Sequence, residues 1–260
     1  MSDPGVLLEF DGPVAIISNN RPDKHNAFTD AMDRQFWNVM REVHDNPELR
    51  AIVWRGNGPS FSSGRDTTEL GVRTEDVTDF EYIERGHAAT QMLFTMPHPI
   101  VVALKGWAIG GSFERALLCD LRIAGESTKI RLPEVLHGVS PDSCGVARLF
   151  QIAGHGVASD MALTGRMMDA DEALRHGVVS RVVPDDQLDE TALQLAHHIA
   201  EASPFAVKMA RRVIANLAHV EVQRSIADEA IAQAMVFASN DYAEMKAARG
   251  ENREPHYRRR

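Results

Sequence analysis

One change of rhythm constrains this chain more than any other feature. As far as about residue 185, short β-rich apolar runs alternate with stretches of helical spacing; from Asp186 onward every segment has helical spacing. Strands and helices that alternate bury their apolar faces by layering, so the first part predicts an α/β core. VLLEFDGPVAIISNNRP predicts a hairpin around Asp11-Gly12, a turn dipeptide. A helix follows, with Thr29 as N-cap and Met32, Phe36, Val39 and Met40 at helical spacing. AIVWRG reads as a buried strand ending in the loop GNGPSFSSGRD, and an amphipathic helix is expected over Tyr82–Met96. PIVVALKG, LRIAG, KIRLPEV and GVVSRVVP are further strand candidates. LDETALQLAHHIAEA, PFAVKMARRVIANLA, EVQRSIADEAIAQAMVFA and DYAEMKAAR read as helical, with Pro204 at a helix start. The reading divides a layered core, 1–195, from a helical C-terminal region, 196–260. The Ala, Met and Val stripes of that region are read as core or subunit interface.

Bulk composition narrows the ligands. The chain of 260 residues is 44% hydrophobic and 25% charged, an ordinary globular balance. Its net charge of −9 argues against a nucleic-acid or anionic-membrane surface, so an anionic ligand needs local basic groups. Cys119 and Cys144 form no CxxC pair; neither a disulfide framework nor a metal site is expected, and a reducing, cytoplasmic compartment fits. MSDPGVLLEFDGP lacks the basic and apolar regions of a secretory signal, and no apolar run approaches the ~18 residues of a membrane span.

The stretch WAIGGSFERALLCD carries the most chemistry. It is mostly apolar, yet holds a double glycine and an adjacent Glu-Arg pair. Gly110 and Gly111 stand where a strand stops and a helix begins. The first N–H groups of a helix lack internal partners, and glycine lets a ligand approach them. Such a donor aimed at developing oxyanion charge is worth roughly 3 kcal/mol in a transition state. Glu114, about one turn in, can act as a base there. A glutamate in the first turn also has a plain structural use, complementing the helix dipole. FSSGRD offers a second Ser/Gly turn after a strand, Glu134 follows a proline, and Asp142 lies in a Pro-Asp turn.

Taken in order, NRPDKHNAF, FSSGRDTTEL, GWAIGGSFERALLCDLRIAG, LPEVLHGVSPD and ALTGRMMDADEALRHGVVSRVVP resemble the enoyl-CoA hydratase/isomerase, or crotonase, family. The resemblance implies a crotonase-like spiral of ββα units with a C-terminal helical oligomerisation region. It implies an acyl-CoA thioester whose carbonyl sits between two main-chain amides, at Arg65 and Gly111. It places the two hydratase glutamates at Glu114, as base toward water, and Glu134, as proton donor to the α carbon. Lys24, Ser63, Arg65, Asp66, Thr67, Thr68 and Gly111 would line the CoA and acyl groups. Arg21, Lys24 and His25 match the segment that CoA approaches, and the basic tail NREPHYRRR could reach a phosphate. No metal or separate cofactor is implied, coenzyme A being part of the substrate; a homotrimer or dimer of trimers is. The loop from Glu69 to Phe80 is expected to set acyl specificity.

The pattern departs from the family in two places. Gly-Gly-Ser-Phe-Glu-Arg replaces the usual GGG-C-E-L, so Arg115 stands beside Glu114 and would weaken the base if it paired with it. Pro141-Asp142-Ser143-Cys144-Gly145 replaces PGAGG, and some double-bond isomerases of the family carry their catalytic acid at the Asp142 position. Three clustered carboxylates would titrate as a group. Isomerase chemistry through Asp142 and a catalytically weak acyl-CoA-binding paralogue are therefore the alternatives to hydration. Ser112 raises a hydrolase reading, but no histidine pattern serves it; His137 is the one to watch.

Overall fold

The computed structural model describes residues 5–69 and 77–257. The core is laid down by β1 (Val6–Asp11), β2 (Val14–Asn19), α1 (Asp30–Asp45), β3 (Ala51–Gly56), α2 (Asp79–Thr95) and β4 (Ile100–Leu104). It continues through β5 (Trp107–Ile109), α3 (Gly111–Leu118), β6 (Leu121–Gly125), β7 (Lys129–Arg131) and α4 (Gly145–Thr164). The chain closes with β8 (Met167–Asp169), α5 (Ala170–Arg175), β9 (Arg181–Val183), α6 (Leu188–Glu201), α7 (Pro204–Phe237) and α8 (Asn240–Gly250). The larger sheet runs β1-β2-β3-β4-β6-β9, and β5-β7-β8 form a second, smaller one. Only β1 and β2 pair antiparallel in the larger sheet, as the hairpin whose turn needs Gly12 at a φ of 56°. This is the mixed α/β layering that the alternation of strands and helices predicts, followed by the helical C-terminal part.

Local signals explain several starts. The Thr29 hydroxyl accepts from the Met32 amide at the head of α1. Thr78 and Glu81 form a reciprocal capping box on α2. The apolar face of α1 buries Met32, Phe36, Trp37 and Met40, and Phe36 lies 4.7 Å from Trp54 of β3, ring centre to ring centre. On the opposite face of the sheet, Leu188, Ala192, Ala196 and Ala200 recur every fourth residue along α6 and pack on Val14, Val53, Val101 and Ile123. Alanines there let the helix lie close to the strands. Residues 195 and 196 fall inside this one helix.

Three elements differ from the sequence expectation. KIRLPEV is not one strand: pairing stops at Arg131, and Glu134–His137 form a 3-10 turn. Pro133 has no N–H to continue a ladder, which explains the break. GVVSRVVP contributes only Arg181–Val183 to the sheet, while Val178 and Val179 are buried before it. The two helical runs after Pro204 form a single helix of 34 residues, α7, lying along α2 and α4. Met167–Asp169, unassigned in the sequence, pairs with β7.

Candidate functional site

Two turns meet at the centre of the molecule. The chain leaving β3 pairs Ser62 with Ala108 of β5, through Ser62 N–H to Trp107 O (2.8 Å) and Ile109 N–H to Ser62 O (3.0 Å). Three residues on it pairs Arg65 with Phe28: Phe28 donates to Gly64 O and Asp66 donates to Phe28 O, both at 2.8 Å. In such a bridge the flanking groups face the partner, so the Arg65 amide itself points to the opposite side. Gly111 opens α3, where the first amides have no helical acceptor, and Gly110 is spent on Arg131 O at 2.9 Å. Neither the Arg65 nor the Gly111 amide has an acceptor among the described residues. The turns touch: a Cβ on Gly64 would stand 2.9 Å from Ile109 O and 3.9 Å from Gly110 Cα. The Ser62 hydroxyl ties them together, lying 2.8 Å from both Asn26 O and Ser112 Oγ. Ser112 is buried in that bridge, and the serine read from the sequence as a hydrolase nucleophile lies beside another serine.

Upstream, NRPDKHNAF folds into a 3-10 turn, Pro22–Lys24, followed by His25 and Asn26 in left-handed conformation. Asparagine tolerates that region, and here its side chain accepts from Arg21 N–H and donates to Asn57 O and Ser60 O. The segment is thereby pinned beneath the Ser62–Arg65 turn.

Four acids surround the paired turns. Glu134 approaches the paired turns most closely: a Cβ on Gly110 would lie 2.9 Å from its Oε1. Its Oε2 is buried without a partner, and its carboxyl is pushed up to about 7, chiefly by burial, with Asp142 adding to the rise and its own backbone amide opposing it. Glu114 is 1% exposed; its Oε2 accepts from Gly145 N–H (3.0 Å) and Ser143 N–H (3.3 Å). Burial first, then Glu134, Glu229 and Asp142, push it well above the usual carboxylate range, against the Gly145 bond. Glu134 and Asp142 line a cavity of about 560 Å³ together with Ser63, Arg65, Thr67 and Gly111. Glu114 stands one layer behind that wall, beyond Gly111 and Ser143, whose hydroxyl would lie 3.0 Å from a Cβ on Gly111. Neither glutamate faces bulk solvent.

Arg115 does not pair with Glu114. It lines the cavity with its guanidinium 2.5 Å from Asp33 and stacked over Trp37 at 5.1 Å, and Trp37 Nε1–H donates to Asp33 at 3.2 Å. The Arg65 side chain pairs with Asp30 in the same way. Two acids one turn apart on α1 thus hold the two arginines on the cavity wall.

The other predicted positions divide. Asp66 lies behind the cavity wall, bonded to Arg21 at 2.6 Å and to Thr68 Oγ1 and N–H; those bonds outweigh burial and lower its carboxyl to about 2. Thr68 is used up there, and Lys24 is exposed on the 3-10 turn with its carbonyl accepting from Ser63 Oγ at 3.3 Å. His137 lines the cavity with its ring held below its usual range by burial, Arg249 and Arg131. In the tail, Arg253 is taken by Glu244 and Glu251, and Arg258–Arg260 lie outside the described residues, as does 70–76 of the expected specificity loop.

Sequence reasoning missed three buried groups: His87 on α2 and Glu229 and Gln233 on α7. The signal was present as polar residues at four-residue spacing, Ser225, Glu229 and Gln233, but such a stripe reads as a solvated face. His87, Cys144 and Glu229 bring a ring nitrogen, a thiol and a carboxylate oxygen within 4.8 Å of one another, the one such set among the described residues. Burial first, then the neighbouring acids, push the Cys144 thiol far up, and both Glu229 oxygens already accept hydrogen bonds. That donor set is arranged as a hydrogen-bonded cluster.

Comparisons with known proteins converge on one family. The chain is 34% identical over 256 residues to a probable enoyl-CoA hydratase of Mycobacterium bovis, covering 98% of each. It is 32% identical over 245 residues to a short-chain-enoyl-CoA hydratase of Clostridium acetobutylicum, covering 94% of this chain and 93% of that one. The structure of an enoyl-CoA hydratase/isomerase from Pseudoalteromonas atlantica superposes with a TM-score of 0.88 at 29% identity, over 98% of this chain and 100% of that one. The enoyl-CoA hydratase/isomerase family model matches residues 9–260, and the chain belongs to that family.

Proposed function

We propose that this protein is an enoyl-CoA hydratase, adding water across the double bond of a 2-enoyl-CoA thioester. The observation that carries the reading is the pair of unpartnered amides, Arg65 and Gly111, on turns in contact, with the Glu134 carboxyl beside Gly110. The thioester oxygen takes both amides and gathers charge as the enolate forms. Glu114 accepts a proton from the water whose oxygen bonds to the β carbon. Glu134 hands its proton to the α carbon, and the electron pair returns to the carbonyl. In dehydration the roles reverse. Two carboxyl groups in different surroundings suit opposite proton roles. The chemistry needs no resident cofactor, coenzyme A entering with the substrate and passing the Ser63 and Thr67 side of the cavity, with Lys24 exposed nearby.

We read the enoyl group as a short one. A long alkyl tail would have to cover the Asp33–Arg115 and Asp30–Arg65 pairs and strip water from them, a cost that a short group avoids. The Clostridium acetobutylicum relative is named for short-chain substrates.

Double-bond isomerisation through Asp142 is the second reading, favoured by one observation: Asp142 lines the cavity while Glu114 stands behind it. The two separate in one assay. Hydration removes the conjugated-thioester absorbance of crotonyl-CoA and is lost in Glu134→Gln and Glu114→Gln; isomerisation makes a β,γ-unsaturated thioester gain absorbance and is lost in Asp142→Asn. Binding with neither change would leave the acyl-CoA-binding reading.

We also read the protein as a homotrimer or dimer of trimers. The apolar side chains left exposed along α7, Phe205, Val213, Leu217 and Met235 among them, support an interface. Among the described residues no helix is long and apolar enough to cross a membrane. Cytoplasmic placement is proposed on the two free, buried thiols, Cys119 and Cys144.

A further inference from the structure

The turn 140–145 is held from α2 and α7 by groups that the hydratase reading does not use. Ser140 N–H donates to Gln233 Oε1 at 2.9 Å, and His87 Nε2 lies 2.6 Å from Asp142 O. The next three amides alternate: Ser143 N–H goes to Glu114 Oε2, Cys144 N–H to Glu229 Oε2 at 2.9 Å, and Gly145 N–H back to Glu114 Oε2. Cys144 sits at a φ of 67°, a left-handed conformation that cysteine rarely adopts, and this is what turns its amide toward α7 while its neighbours face α3. Glu229 is itself fixed from one turn back by the Ser225 hydroxyl at 2.7 Å. A buried carboxylate within a 34-residue helix is costly unless its lone pairs are met, and here one oxygen is met by Ser225 and the other by the turn that carries Asp142 and cradles Glu114.

We propose that Glu229, seconded by Gln233 and His87, is a positioning residue of the site: it clamps the Cys144 amide so that the flanking amides converge on Glu114, and its negative charge governs how readily Glu114 ionises. In its consequences for turnover the proposal rests on the hydratase reading. The titratable groups facing Glu229 are Glu114 on α3, Asp142 and Cys144 of the turn and His87 on α2; Glu134 lies beyond, next to Glu114, and Arg115 is a cation whose field reaches Cys144. Nearly all of the charge around Glu114 is therefore negative. Glu229 ionises at about 7, raised chiefly by burial, so it changes charge within the working range of the site. When Glu229 is anionic, a second charge on Glu114 is repelled; when Glu229 is neutral, Glu114 ionises more easily.

Glu229→Gln separates the two parts of the role. The amide oxygen still accepts from Cys144 N–H and the amide nitrogen can face the Ser225 oxygen, so the clamp stays while the charge goes. Glu229→Ala removes both. The measurements are the pH profile of kcat/KM on crotonyl-CoA and, without substrate, the titration of Glu114 followed by ¹³C NMR with side-chain carboxyl labelling of glutamate. Glu229→Gln is expected to move the acid limb to lower pH by half a unit or more, with a matching downward move of the Glu114 titration. Glu229→Ala is expected to lower kcat at least tenfold with KM within threefold. A Glu229→Gln protein whose Glu114 titrates as in the wild type overturns the proposal, and this arm holds whether or not the protein hydrates crotonyl-CoA. A moved titration with no turnover in the wild type would leave the positioning role standing and remove the hydratase reading alone. Should Glu229→Ala fail to fold, the Glu229→Gln titration decides.

Discussion

Gly110 is the residue where backbone geometry and chemistry meet most closely, and Gly110→Ala is the sharpest single perturbation. Its φ of 58° and ψ of −142° fall in a region that essentially only glycine occupies. Holding alanine there costs about 1–3 kcal/mol. The added methyl would also sit 2.9 Å from Glu134 Oε1, too close for comfort but against the end of a flexible side chain, so the carboxyl yields more cheaply than the backbone does. Relief comes by rotating the peptide that joins residues 110 and 111, and that peptide carries the Gly111 amide. Losing one such donor costs about 3 kcal/mol of transition-state stabilisation, a fall of 10²–10³ in kcat. The assay is steady-state hydration of crotonyl-CoA beside a urea titration of stability. A loss of about 1–3 kcal/mol in stability with a fall of roughly 100-fold in kcat is expected. An intact fold with kcat within threefold of the wild type, or a loss confined to KM, would refute the assignment of the Gly111 amide.

Three further outcomes follow from charge and exposure. Glu114, Glu134 and Glu229 all ionise higher in the folded chain than the ~4.3 of an unfolded glutamate, Glu134 and Glu229 at about 7. The folded state therefore holds their protons more tightly; the contribution of Glu134 and Glu229 is full below about pH 4.3 and is lost as pH rises through about 7, so melting temperature should decline over that window and Glu134→Gln should flatten the decline. The same proton on Glu134 makes the hydration rate fall above about pH 7, measurable as the basic limb of kcat/KM. Arg115→Leu leaves Asp33 half-paired beside Trp37 and should cost about 1–2 kcal/mol, with Asp33→Asn/Arg115→Leu costing less than the sum of the single changes in a denaturation cycle. Leu217, 78% exposed on α7, should tolerate glutamate in an isolated chain but dissociate an oligomer, read by light scattering.

What the sequence disclosed was governed by distance along the chain. The Gly12 turn, the Thr29 cap and the start of α7 at Pro204 are set by neighbours within a few residues, and each was legible. The short strands β7 and β8 were not, because three residues of pairing leave almost no periodic signal and a proline masks where the first one stops. At the site, the glycine-rich strand exits implied exposed donors in general, and it was the family resemblance that placed them at Arg65 and Gly111. The destination of Arg115 could not: its position beside Glu114 suggested that pair, while the fold places Asp33, 82 residues away, against its guanidinium. Glu229 was hidden for the same reason, its partner amide lying 85 residues upstream. Side-chain pairs of that separation exist only once the layers are assembled.

The claim at the centre of the account is that the carboxyl beside Gly110 delivers a proton to the α carbon while water adds next to it. Hydration of crotonyl-CoA in D₂O tests it directly, with the product analysed by mass spectrometry and NMR. The account predicts one deuterium bound at the α carbon and a hydroxyl at the β carbon, with Glu134→Gln at least 100-fold slower yet still binding the thioester. Wild-type protein that binds crotonyl-CoA without adding water, or a Glu134→Gln protein that labels the α carbon at the wild-type rate, would contradict it.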